Sequence, residues 1–88
     1  MKKDDSAFSG RETVKTTVRI GEIVRHRRKE SKLTQSEAAA LCKVGTRFMS
    51  DLENGKPTLH WGKVLHVLQC FGLSVVLKRK ELIDERNA

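Results

Sequence analysis

Apolar residues return at helical spacing along most of the chain, and the breaks between them carry turn signals. Ile20, Ile23, Val24 and the stem of Arg27 stand at i, i+3, i+4 and i+7, which predicts an amphipathic helix over residues 19–31. Lys32 and Leu33 make the turn. Thr34-Gln35-Ser36-Glu37 has the spacing of a capping box: the Thr34 hydroxyl accepts from the Glu37 amide, and the Glu37 carboxylate accepts from the Thr34 amide. A second helix therefore starts there, with Ala38, Ala39, Leu41 and Cys42 following and consecutive alanines permitting close approach of a neighbour. Lys43-Val44-Gly45 interrupts it, Gly45 tolerating backbone angles that other residues reach only at a cost. A third helix over residues 46–54 turns Phe48, Met49 and Leu52 inward and stops at Asn54-Gly55, beyond which Pro57 forbids continuation. Thr58 is expected to cap a fourth helix whose apolar stripe is Trp61, Val64, Leu65, Leu68 and Phe71, ended by Gly72.

After Gly72 the period changes. Leu73 to Arg79 alternates and is rich in β-branched residues, which predicts a strand. A lone strand leaves backbone groups unpaired. The economical remedy is the same strand of a second copy, paired across a two-fold axis through Leu73, Val75, Val76 and Leu77. Pairing with Val14 to Val18 of the same chain is the alternative. The expected organisation is a flexible arm (1–17), a helical domain (18–72), a dimerising strand (73–80) and a tail (81–88). The expected fold class is thus an all-α domain of four short helices with one C-terminal β-strand pairing across a dimer.

Composition narrows the partners. The 88 residues are 38% hydrophobic and 33% charged, ordinary for one small globular domain. Lys and Arg number 18 against 11 Asp and Glu, a net charge of +7 that attracts polyanions, of which nucleic acid is the commonest. Phe8, Phe48, Trp61 and Phe71 are too few for a base-stacking platform. No run approaches the ~18 apolar residues of a membrane helix, and no signal-peptide core follows Met1. Cys42 and Cys70 lack paired spacing and read as reduced thiols in a cytoplasmic protein.

A short helix, a tight turn and a second helix that crosses it steeply make a helix-turn-helix, whose second helix enters the DNA major groove. Leu33 to Gly55 has these parts at the right distances: Ala39 where the axes come closest, Val44 in the turn, Met49 and Leu52 anchoring from below. Thr46, Arg47, Ser50 and Asp51 are left outward.

The runs Leu33-Thr34-Gln35-Ser36-Glu37-Ala38-Ala39, Val44-Gly45 and Ser50-Asp51-Leu52-Glu53-Asn54-Gly55-Lys56 resemble the lambda-repressor-like (Xre/Cro) family over Ile20 to about Leu73. The resemblance implies that Gln35 contacts the DNA backbone and often a base, and that Thr46, Arg47, Ser50 and Asp51 read bases with Gly45 beside them. Many members carry Ser or Lys where this chain has Gly45, which removes one phosphate contact. It also implies a partly buried ion pair between Arg28 and Glu53. Chemistry assigns the rest. Arg47 forks onto guanine O6 and N7 or binds phosphate, and Thr46 offers a hydroxyl to phosphate or a methyl to thymine. Ser50 lets the helix approach closely, and Asp51 accepts from cytosine N4 or orients Arg47 from i+4. Lys56, Thr58 and Ser36 bind phosphate, the last at a helix N-terminus. Arg25, Arg27, Lys29 and Lys32 read as a solvated basic face.

The strand, with Lys56-Pro57-Thr58, Gly62-Lys63-Val64-Leu65 and Gly72-Leu73, resembles the HipB-type antitoxins. That subgroup implies a homodimer that represses its own operon from double-stranded DNA and holds a HipA-like kinase toxin. A stand-alone or phage-type repressor, a protein adaptor and a small basic ribonuclease are the alternatives. No cofactor, catalytic set or metal site is expected; His66 and Cys70 at i, i+4 supply two ligands, short of a structural zinc site. His26 and His60 read as surface residues.

Overall fold

A computed structural model of the chain describes residues 8–80. Within these residues four helices follow one another: α1 (Thr17–Glu30), α2 (Gln35–Cys42), α3 (Thr46–Glu53) and α4 (Trp61–Cys70).

The helix ends follow from local chemistry. Thr16 Oγ1 accepts from the Arg19 amide at 3.1 Å and starts α1. Thr34 and Glu37 form the reciprocal capping box at the head of α2, with bonds of 3.1 and 2.8 Å. Each of these helices ends in the same Schellman closure, in which a residue two or three past the helix end bonds back five positions. These bonds are Leu33 N–H to Arg28 O, Val44 N–H to Ala39 O, Lys56 N–H to Asp51 O and Leu73 N–H to Leu68 O. The closure needs one left-handed residue. Gly55 and Gly72 supply it for α3 and α4, whereas Lys32 (φ 59°) and Lys43 (φ 61°) supply it for α1 and α2. Gly45 is therefore not the special residue of the turn: it has ordinary extended angles (φ −72°, ψ 152°), and the left-handed position is Lys43.

The core is Val24, Ala38, Ala39, Cys42, Met49, Leu52, Val64, Val67, Leu68 and Phe71, with Ile20, Leu33, Val44 and Phe48 packed around it. α3 rests on both α1 and α2, and α4 leans on α2. Gly21 fixes the α1–α3 distance. A Cβ there would stand 2.6 Å from the Glu53 carbonyl oxygen and closer still to that of Leu52. Two further bonds hold distant ends together: Thr17 Oγ1 donates to Gly55 O at 2.7 Å, and Arg27 Nη2 donates to Phe71 O at 2.7 Å.

Several expectations change. Among the described residues none lies in a strand. Leu73 is half-buried, but Val75, Val76 and Leu77 are exposed, and among the described residues no strand pairs with their backbone. Pairing with Val14 to Val18 does not occur: residues 14–15 have no partner, Thr16 caps α1, and Thr17 and Val18 are its first residues. α4 is capped by His60, whose Nδ1 accepts from the Lys63 amide at 3.2 Å, and not by Thr58. Pro57 to Leu59 is loop, with Leu59 packed toward the core. Trp61 leaves the predicted stripe and is 55% exposed, because the face that meets the core is Val64, Val67, Leu68 and Phe71. Leu41 is likewise exposed. Arg27 is not merely solvated, since it closes the end of α4. Of the expected arm, residues 1–7 lie outside the described part, as does the tail 81–88. Residues 8–16 are non-helical, and Glu12 grips Arg19 through both oxygens, Oε1 at 2.7 Å from Nη2.

Candidate nucleic-acid interface

α3 divides its residues cleanly. Met49, Leu52 and Glu53 are buried, while Thr46 and Arg47 are exposed and Ser50 and Asp51 half-exposed on the outer side. The burial follows from the apolar residues and from Gly21, which lets α1 approach one side of the helix so that the other side stands free. Gly45 begins α3 with open space around its Cα and no side-chain cap bond, and no acidic residue lies in the first turn. The amides at that end are thus open to an anion.

Gln35 opens α2 and is joined to the far end of α3: its Nε2 donates to Glu53 Oε1 at 3.0 Å. The same carboxylate receives Arg28 Nε at 2.6 Å and Nη2 at 3.0 Å, and Arg28 Nη1 caps the Leu33 carbonyl at 2.8 Å. The hydrogen bond to Glu53 holds the Arg28 guanidinium more firmly protonated, overcoming the opposing cost of burial. One buried pair therefore ties α1, the α1–α2 turn, α2 and α3 together. With one Nε2 hydrogen committed to Glu53, Gln35 keeps its second hydrogen and its Oε1 for another group.

Asp51 stands between two cations. Its Oδ2 is 3.7 Å from Arg47 Nε, one turn earlier, and 3.7 Å from Lys56 Nζ, beyond the helix end. The Arg47 side chain is 88% exposed, so its two Nη groups are free to reach outward. Gln35, Arg47, Asp51 and Lys56 are thereby connected to α3 or its closing turn. Ser36 and Thr58 are exposed, on the first turn of α2 and in the loop before α4, and make no bond to this group.

The other chemistry-bearing residues are occupied elsewhere. His66 Nε2 lies 2.8 Å from the Cys42 carbonyl and closes the end of α2. Burial, then the hydrogen bond with Cys70, pushes the Cys42 thiol up to about 12, which makes it a poor nucleophile. Lys63 Nζ lies 6.0 Å from the Phe48 ring centre.

Residue patterning did not point to Gly21, Thr17, Arg27 or His60 as fixing this surface. Gly21 had a readable signal: it precedes Val24 and Arg28 by three and seven positions, which puts a side-chain-free residue on the buried face. The hydrogen bonds of Thr17 and Arg27 span 38 and 44 residues and had none.

Comparisons with known proteins bear on the family and the fold. A family model described as a helix-turn-helix domain matches residues 19–80. An uncharacterized HTH-type transcriptional regulator, y4mF of Sinorhizobium fredii, is 53% identical over 62 residues, 70% of this chain and 82% of the relative. A chain in the solved HipA-HipB-O2-O3 complex has a TM-score of 0.69 at 20% identity, covering 80% of this chain and 99% of that one. A HipB-O4 20mer complex gives the same TM-score, identity and coverage. At that identity the likeness is one of fold.

Proposed function

The chain belongs to the helix-turn-helix domain family, and from that premise we propose that it is a transcriptional repressor that lays α3 in the major groove of its operator. The observation that carries the reading is the outward strip of α3, Thr46, Arg47, Ser50 and Asp51, flanked by Gln35 on one end of the buried ion pair and Lys56 on the other side of Asp51. Arg47 forks onto guanine through its free Nη groups, Thr46 meets a phosphate or a thymine methyl, and Ser50 allows close approach. Gln35, Ser36, Lys56 and Thr58 hold the phosphates on either side, and the uncapped amides after Gly45 add to them. The +7 charge supplies the long-range attraction.

The protein acts as a cytoplasmic homodimer on an inverted repeat. Leu73, Val75, Val76 and Leu77 of two copies pair into a small shared sheet, which gives partners to backbone that the described residues of one chain leave open. Its biological setting is a HipA/HipB-like operon, where it is the antitoxin and holds a HipA-like kinase. The likeness of its fold to chains in the HipB complexes supports that setting.

Nuclease footprinting on the gene's own promoter tests the reading. Protection of two half-sites with centres about 34 Å apart, or a multiple of that, is expected. Affinity is expected to fall by orders of magnitude between ~50 and ~200 mM salt. Arg47→Ala is expected to relax preference at one base position, by about 1–3 kcal/mol, more than it weakens binding to random duplex. Binding that is insensitive to salt, with no protected promoter sequence, overturns the proposal.

A further inference from the structure

The carboxylate of Asp51 is an odd guest on a surface built to meet phosphates, and its position gives it a task. Its Oδ2 is equidistant, at 3.7 Å, from Arg47 Nε and Lys56 Nζ. The acid is the fixed member of the trio: its side chain is 25% exposed, against 88% for Arg47 and 48% for Lys56. The Lys56 amide bonds to the Asp51 carbonyl at 3.0 Å, so Lys56 stays within reach whatever its side chain does. Resting on the DNA-binding reading above, we infer that Asp51 is a built-in stand-in for a phosphate, which holds Arg47 and Lys56 and so suppresses binding to duplexes of the wrong sequence.

The selectivity comes from which nitrogen Asp51 engages. With Nε turned to Asp51, both Nη groups of Arg47 remain for guanine O6 and N7, so the pair survives when Arg47 reads its base. On random duplex no base rewards that posture, and Arg47 and Lys56 reach for phosphate instead. They then leave Asp51 as an uncompensated negative charge facing the backbone. The penalty therefore falls on nonspecific binding more than on the operator.

The test uses the full chain with Asp51→Asn, titrated against a labelled random duplex and the protein's own promoter duplex over a salt series. Glu30→Gln, which makes the same change in net charge beside Arg27 on α1, is the control. Asp51→Asn is expected to raise random-duplex affinity about 3–10-fold. It is also expected to steepen the log–log salt slope by about one and to raise promoter affinity less, so that the specificity ratio falls. Adding Arg47→Gln to Asp51→Asn is expected to remove most of the gain. Asp51→Ser, checked by circular dichroism, replaces any variant that fails to fold. A random-duplex affinity that is unchanged, weakened, or raised only as much as by Glu30→Gln overturns the inference. Loss of promoter binding alone would instead make Asp51 a base reader and overturn it equally. A wild-type chain without salt-sensitive duplex binding defeats the DNA-binding reading itself, and is thus told apart from failure of the Asp51 role.

Discussion

Gln35 donates a 3.0 Å hydrogen bond to Glu53, so the first residue of α2 is oriented by the last residue of α3. Because Glu53 is also gripped by Arg28 at 2.6 Å, a side chain at the surface is positioned by a pair in the interior. Removing one member of such a pair strands the other. Arg28→Ala is expected to cost about 3–5 kcal/mol in urea unfolding. Joint replacement by Arg28→Met and Glu53→Leu is expected to recover most of that stability. It leaves Gln35 without its acceptor, and DNA affinity is expected to stay below wild type. Recovery of both together would show that Gln35 needs no such support.

Gly21 sets how closely α1 approaches α3. Alanine is ordinarily the better helix former by about 1 kcal/mol. Here its methyl would stand 2.6 Å from the Glu53 carbonyl, and the backbone atoms around it cannot swing aside. Gly21→Ala is therefore expected to destabilise by about 1–3 kcal/mol, read as a lowered thermal midpoint. A raised midpoint would mean that the two helices separate freely.

The turn between α2 and α3 invites two opposite substitutions. Lys43 carries the left-handed angles (φ 61°, ψ 44°), and Lys43→Gly is expected to stabilise by about 1 kcal/mol. Gly45 has ordinary angles and open surroundings. Gly45→Ser is expected to add a cap bond worth a few tenths of a kcal/mol, roughly. Chemical denaturation of both variants checks the pair.

The exposed run Val75 to Leu77 is where the proposed dimer is most vulnerable. Val76→Asp, which charges a side chain that is 75% exposed in the single chain, is expected to shift sedimentation toward monomer while the helical signal stays. An unchanged dimer would move the contact elsewhere.

Cys42 predicts an alkaline weakness. Its thiol is pushed from 9.0 to about 12, by burial first and then by the hydrogen bond with Cys70. Below pH 9 folded and unfolded chains both hold the proton, and the full contribution to stability is present. Between pH 9 and 12 the unfolded chain releases it while the folded chain keeps it. Stability is therefore lost by up to about 1.4 kcal/mol per pH unit as pH rises. Cys42→Ala is expected to be weaker at neutral pH, because it opens a cavity, yet to lose less between pH 9 and 11. Parallel declines in the two proteins would rule Cys42 out as the cause.

By itself the sequence determined what contiguous residues can determine. The capping box at Thr34 and Glu37, the glycine stops at Gly55 and Gly72, and the amphipathic run of α3 are signals within one or two turns. Each is written in residues close together in the chain, although helices this short are held by what packs against them. Its +7 charge and the outward placement of Thr46 and Arg47 were legible on the same ground. Tertiary structure alone decided the rest. Lys32 and Lys43 take left-handed angles because two helices must turn back sharply there, against the preference of a lysine. Trp61 faces outward and Val67 inward because α4 meets the core on a face rotated from the one its largest side chain suggests. Gln35 meets Glu53, Thr17 meets Gly55 and Arg27 meets Phe71 only after the helices have crossed, since these pairs are 18, 38 and 44 residues apart. The strand-like segment after Gly72 marks the boundary between the two. Its alternation is written in the residues, but backbone hydrogen bonds require a second strand, and the described residues of one copy provide none.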